Sequence, residues 1–239
     1  SGKLKTQTIG KNGVFPLGNF SFALGNITEP QKLTVHLSVA LVKNSWDIWV
    51  YPRHNNQMQS TDKILYTTVF DEKAKQYLAD GKKVVLCPKP SNVKGRKSVF
   101  HNHFWNPIMF KWPPMTIGCL IHSDQPVFDH FITSYHTDWQ WWDILENAKV
   151  IEMRDAPTAL RPFIQVIDHY DNNEKLGIGF EAKVKNGSLL VLAVDTQKNI
   201  DKRPATQQLL ESIDHYVKSD KFAPQISVSE SYIESFLKK

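Results

Sequence analysis

The rhythm of apolar and polar positions changes twice along this chain. Leu33, Val35, Leu37, Val39 and Leu41 alternate with Thr34, His36, Ser38 and Ala40, the period-two pattern of a strand with one buried face. Residues 18–24 and 46–51 predict further strands, set off by turn signals at Gly25-Asn26 and Lys43-Asn44. Residues 1–55 thus predict a β-sandwich segment, but four or so strands make a small one. Either earlier strands have been cut away or these pack on the next domain. The polar run 53–62 reads as a linker.

Beyond it the pattern becomes α/β. Residues 64–67 and 83–87 predict strands, and 71–79 a helix with Ala74, Tyr77 and Leu78 on one face. Asp71 and Glu72 stand near its favourable start, and Gly81 stops it. A strand, helix, strand run of this length predicts a right-handed parallel crossover, and so an open α/β sheet over residues 56–239. Strands are also expected over 115–121, 150–152 and 163–167. The runs 176–184 and 188–195 flank Lys185-Asn186-Gly187, a hairpin signal. Pro204 opens the clearest helix, with Leu209, Leu210, Ile213, Tyr216 and Val217 forming its apolar stripe. Near the end of the chain Tyr232 and Phe236 share a face.

The stretch 99–143 fits neither rhythm. It holds five of the seven tryptophans and five of the nine histidines, and prolines at 107, 113 and 114 deny it one regular element that could hide them all. Some of these aromatics should therefore reach the surface. If 139–142 is a helical turn, Trp139 and Trp142 share a face and Trp141 is turned about 200° from Trp139, so the three cannot all be buried together. One expectation puts Trp139 and Trp142 in the core and leaves Trp141 to dock on another domain. The other is stacking on sugar rings: Trp105, Trp139, Trp141 and Trp142 offer flat apolar faces, and Asn102, His136, Asp138 and Gln140 offer polar partners for hydroxyls. A secondary candidate is Asp168, His169 and Asp171, at the end of a strand where open α/β sheets place ligands.

Charge and cysteine chemistry narrow the classes. The net charge of +5 is spread along the chain, and its one tight basic cluster, residues 94–97, is a solvated loop by pattern. Nucleic acid is not an expected partner. No apolar run is long enough to span a membrane. Cys87 and Cys119 lie in apolar strand-like runs and read as buried free thiols. A nucleophile elbow needs glycines two residues either side of the thiol, but Ile117 and Ile121 flank Cys119 and Val85 and Lys89 flank Cys87. A Cys-His enzyme remains an alternative without that elbow. His101, His103, His122, His130 and His136 with Asp138 could supply metal ligands, yet show no recognised ligand spacing, so neither metal nor other cofactor is expected. The chain opens Ser1-Gly2-Lys3 without methionine and reads as an excised piece whose targeting segment was left behind.

Three runs carry a resemblance: residues 44–52 (NSWDIWVYP), 135–142 (YHTDWQWW) and 201–205 (DKRPA). They resemble the C-terminal, non-barrel region of Bacteroidetes-type family 2 glycoside hydrolases of β-galactosidase type, over nearly the whole chain. The resemblance implies an immunoglobulin-like first segment, then a flavodoxin-like domain similar to class I glutamine amidotransferases. It also implies a parent that is periplasmic or secreted and cleaves glycans. Retaining hydrolysis needs two carboxyls about 5 Å apart on a barrel, and this chain lacks the eightfold alternation of a barrel of ~250 residues. No catalytic residue is carried over. The expected role is accessory, with the catalytic barrel as partner and oligosaccharide as ligand; a free-standing carbohydrate-binding module is a further alternative.

Overall fold

The computed structural model describes residues 2–25, 27–53, 58–100, 109, 116–169 and 172–238. The chain forms a small antiparallel sheet followed by a larger mixed sheet with helices on both faces.

The first sheet is a single hairpin, β1 (Gln31–Val39) against β2 (Val42–Val50). The alternation holds as far as Leu37: Leu33, Val35 and Leu37 are half-buried on one face, whereas Val39 and Leu41, expected on the same face, lie exposed at the hairpin's turn end; on the other face Asp47 pairs with Lys32 at 2.8 Å and accepts a hydrogen bond from Thr34. Residues 18–24, expected as a strand, are irregular among the described residues. Their period-two apolar side chains, Phe20, Phe22 and Leu24, stay exposed. Alternation gives an extended chain, but a strand also needs a neighbour for its backbone groups.

The larger sheet contains β3 (Ile64–Thr67), β4 (Lys83–Leu86), β5 (Gly118–Ile121), β6 (Ile151–Glu152), β7 (Ile164–Ile167), β8 (Leu176–Val184) and β9 (Gly187–Leu192). Its order is β3-β4-β9-β8-β7-β5, with β6 paired to β8. The crossover β3–α1–β4, where α1 is Glu72–Ala79, is parallel, and β4 pairs parallel with β9. The remaining pairs are antiparallel, so the sheet is mixed rather than parallel throughout. The β8–β9 hairpin reverses the sheet's direction. Its turn puts Lys185, not Asn186, at positive φ (+52°), while Asn186 Nδ2 donates to the Ala79 carbonyl at the end of α1. A Cβ on Gly187 would stand 2.5 Å from the Lys82 carbonyl oxygen and 2.7 Å from Leu78 Cα, so only glycine lets the hairpin approach α1 this closely.

Successive residues of the central strands feed opposite faces. Val85, Leu190 and Leu192 pack with Leu209, Ile213 and Val217 of α3 (Pro204–Lys218) and with α2 (Trp141–Glu146). Val84, Leu86, Leu189 and Val191 pack with Ala74 and Leu78 of α1 and with Tyr232, Ile233 and Phe236 of α4 (Glu230–Ser235). The five apolar positions read from the α3 sequence are all buried.

Candidate functional site

The aromatic turn has the geometry that helical spacing predicts, with its faces exchanged. Trp141 is fully buried, whereas Trp139 and Trp142 are 75% and 56% exposed. The expectation that Trp139 and Trp142 fill the core while Trp141 faces outward is therefore corrected. Trp141 wins the interior because its surroundings satisfy the whole indole. Phe131 meets it edge-on at 5.4 Å and Phe128 at 6.3 Å, and Nε1 donates to Thr133 Oγ1 at 2.9 Å. The other two then point to solvent.

Gln140, which precedes the first turn of α2, is also buried, so its side chain is not a rim group for a ligand. Its amide donates to the Ile132 carbonyl (2.8 Å) and to Asp138 (3.2 Å), and its oxygen accepts from Tyr51 Oη (2.7 Å). Burial, then the carboxylates of Asp138 and Asp143, holds the Tyr51 phenol above its usual range, so it remains a donor. At the other end of the turn, Asp143 accepts from Thr206 Oγ1 at 2.7 Å, and Arg203 donates to the Asp143 carbonyl oxygen. Burial raises the Asp143 carboxyl, opposed by Thr206 and Arg203. The runs 44–52, 135–142 and 201–205, or residues beside them, thus meet at one turn.

Outside this buried hub lies an aromatic face. Trp139 packs against Phe100 at 5.4 Å, and exposed Tyr135 sits edge-on to His136 at 4.8 Å. His136 is exposed, its Nδ1 3.2 Å from the Thr137 carbonyl; Asp138 is half-buried, and burial raises its carboxyl. Of the sugar-stacking candidates, Trp139, Trp142, His136 and Asp138 can face a ligand, Trp141 and Gln140 support them from beneath, and Asn102 and Trp105 lie outside the described residues. Phe100 and Tyr135 are additions. Tyr135 stood in the 135–142 run, but nothing in the sequence pairs Phe100 with a tryptophan 39 positions later.

The secondary candidate is a structural anchor. Asp168 is buried and takes four N–H donors: two from Arg96 (2.6 and 3.2 Å) and the backbone of His169 (2.7 Å) and Glu174 (2.9 Å). It does end a strand, but these groups leave its carboxylate little capacity for a ligand. Burial alone would raise its pKa; the Arg96 guanidinium and the two backbone N–H groups outweigh this and hold it below the usual carboxylate value. His169 is fully buried beside it, and Asp171 lies outside the described residues. Both thiols are buried, which pushes them up to about 12 and favours the unreactive protonated form. Among the described residues no three His, Cys, Asp or Glu side chains are grouped to hold a metal ion, and His130 instead stacks on His215 at 4.3 Å. No helix among them is long and apolar enough to cross a membrane.

Two family models match the chain. A domain of unknown function, DUF8487, covers residues 65–238. The chain belongs to this family. A second domain of unknown function, DUF8488, covers residues 1–52, so the two DUF matches leave 53–64 between them. No curated protein matches the chain. Neither family description names a glycoside hydrolase or an amidotransferase.

Two outcomes follow from this geometry. Trp141→Ala should cost about 3–5 kcal/mol in urea denaturation, whereas Trp139→Ala and Trp142→Ala should each cost less than about 0.5 kcal/mol. Asp168 contributes stability that is fully present above its unfolded pKa of about 3.9 and is lost as pH falls through its lower folded value. Wild-type stability should therefore drop between about pH 5 and pH 2 more steeply than that of Asp168→Asn, measured by chemical denaturation across that range.

Proposed function

We propose that this chain is a non-catalytic accessory region of a family 2 glycoside hydrolase, exported with it, and that its aromatic face contacts glycan bound to the parent enzyme. The observation that carries the reading is the pair of indoles, Trp139 and Trp142, held outward on one turn by the burial of Trp141. A pyranose presents an apolar C–H face to such rings, and His136 and Asp138 beside them can exchange hydrogen bonds with its hydroxyls. The three runs 44–52, 135–142 and 201–205 support the family reading. With it come the finer fold assignments, an immunoglobulin-like first segment and a flavodoxin-like, amidotransferase-like second. The parallel β3–α1–β4 unit favours the latter and the antiparallel β8–β9 hairpin departs from it.

A second reading, docking on the catalytic barrel, is favoured by exposed Ile132, whose carbonyl accepts from the Gln140 amide beneath the turn, since apolar neighbours suit a protein interface better than a sugar. Titration of tryptophan fluorescence with a panel of oligosaccharides separates the two. Glycan contact predicts a saturable change, lost in Trp139→Ala or Trp142→Ala with circular dichroism unchanged. No change with any oligosaccharide would contradict glycan contact and leave the docking role.

A further inference from the structure

A concavity lies away from the aromatic face. At the C-terminal ends of β3, β4 and β9, which run the same way, a crevice of about 780 Å3 opens between the residues after β3 and β9 and the side of α3. The chain leaving β3 enters α1, which packs on one face of the sheet, and the chain leaving β9 reaches α3 on the other. Connections that diverge to opposite faces leave a gap beyond the strand ends, where open α/β sheets bind ligands. The volume lies within the roughly 300–1,000 Å3 of small-molecule sites.

Its chemistry is distinctive. One wall is a line on α3 at positions four and then three apart, Gln207, Glu211 and Asp214; the facing wall is Tyr66, Thr67 and Thr68. Asp214 is buried and already fixed, accepting from Tyr66 Oη at 2.5 Å and pairing with Lys218 at 2.6 Å. A carboxylate held this way cannot swing away, and each of its oxygens can accept more than one hydrogen bond. Burial, then the bond to Asp214, raises the Tyr66 phenol, which keeps its proton. Asp201 adds a third acidic group, and among the described residues lining the crevice there is no lysine or arginine. Lys218 offsets the charge of Asp214, but Asp201 and Glu211 leave the walls acidic, which disfavours phosphorylated and carboxylate ligands. Met58, Ile200 and Leu210 supply apolar contact between the polar groups.

We propose that this crevice binds a neutral, hydroxyl-rich ring of monosaccharide size, whose hydroxyls donate to Asp201 and Asp214 while its C–H groups lie on Met58 and Ile200. The ligand class rests on the carbohydrate reading above; the site itself is separate from the aromatic face.

The test is saturation-transfer NMR and isothermal titration of the whole chain with galactose, glucose, mannose and their methyl glycosides, and with glucose 6-phosphate as an anionic control. Saturable binding of a neutral sugar is expected, weakened about tenfold or more in Asp214→Asn and in Asp201→Asn, and the weakening persists when Trp139 and Trp142 are both replaced by alanine. Asp201 is exposed, so its variant folds even if Asp214→Asn does not. No saturable binding of any of these sugars at millimolar concentration would overturn the proposal. So would tighter binding of the phosphate, or binding insensitive to both aspartate variants. Binding lost only in the tryptophan variants would sink the crevice and leave the aromatic-face reading standing.

Discussion

The burial of Trp141 is the constraint on which the candidate site depends. One indole must enter the core because α2 closes the side of the sheet that α3 covers, and helical geometry then obliges Trp139 and Trp142 to leave it. The aromatic face is thus a consequence of packing at the position between the two exposed rings. The polar residues beside Trp141 are equally committed: Gln140 and Asp143 spend their hydrogen bonds on Tyr51, Ile132, Thr206 and Arg203 rather than on solvent. A buried network satisfied in this way fixes a unique arrangement, since losing one member strands the others without partners.

That network also explains why three distant runs carry specific residues. Tyr51 follows β2 directly, Arg203 precedes α3, and the two lie 152 positions apart in the chain; both bind within the turn 140–143. Their identities are set by a shared structural joint. The residues that turn outward are their neighbours, Trp139, Trp142 and His136. Support and contact alternate along the chain, so a conspicuous run of residues is an uncertain guide to which member does which task.

Much of the scaffold was legible. Alternation gave β1, the apolar stripe gave α3, and Asn-Gly gave the β8–β9 hairpin, because each is a local periodicity or turn with one solution. The 18–24 strand was not, since its alternation has no partner strand, and the mixed sheet was not, since strand direction after β9 depends on pairings between segments remote in sequence. For the site, spacing correctly grouped Trp139 with Trp142 against Trp141, but which face is buried is decided by Phe128, Phe131 and Thr133. Asp168 was found at its strand end, while the Arg96 that occupies it lies 72 positions away. The crevice had a signal that the apolar stripe of α3 overshadowed: the polar line Gln207, Glu211, Asp214 beside it, opposite Thr67 and Thr68 at a strand end.

The turn at 140–143 fastens the first segment to the mixed sheet through Tyr51 and Gln140. The most direct measurement is a double-mutant cycle with Tyr51→Phe and Gln140→Ala, followed by urea denaturation. A buried hydrogen bond predicts a coupling energy of about 1 kcal/mol between the two sites. Substitutions additive to within about 0.3 kcal/mol would contradict it, because the two side chains would then act independently and the joint would not exist.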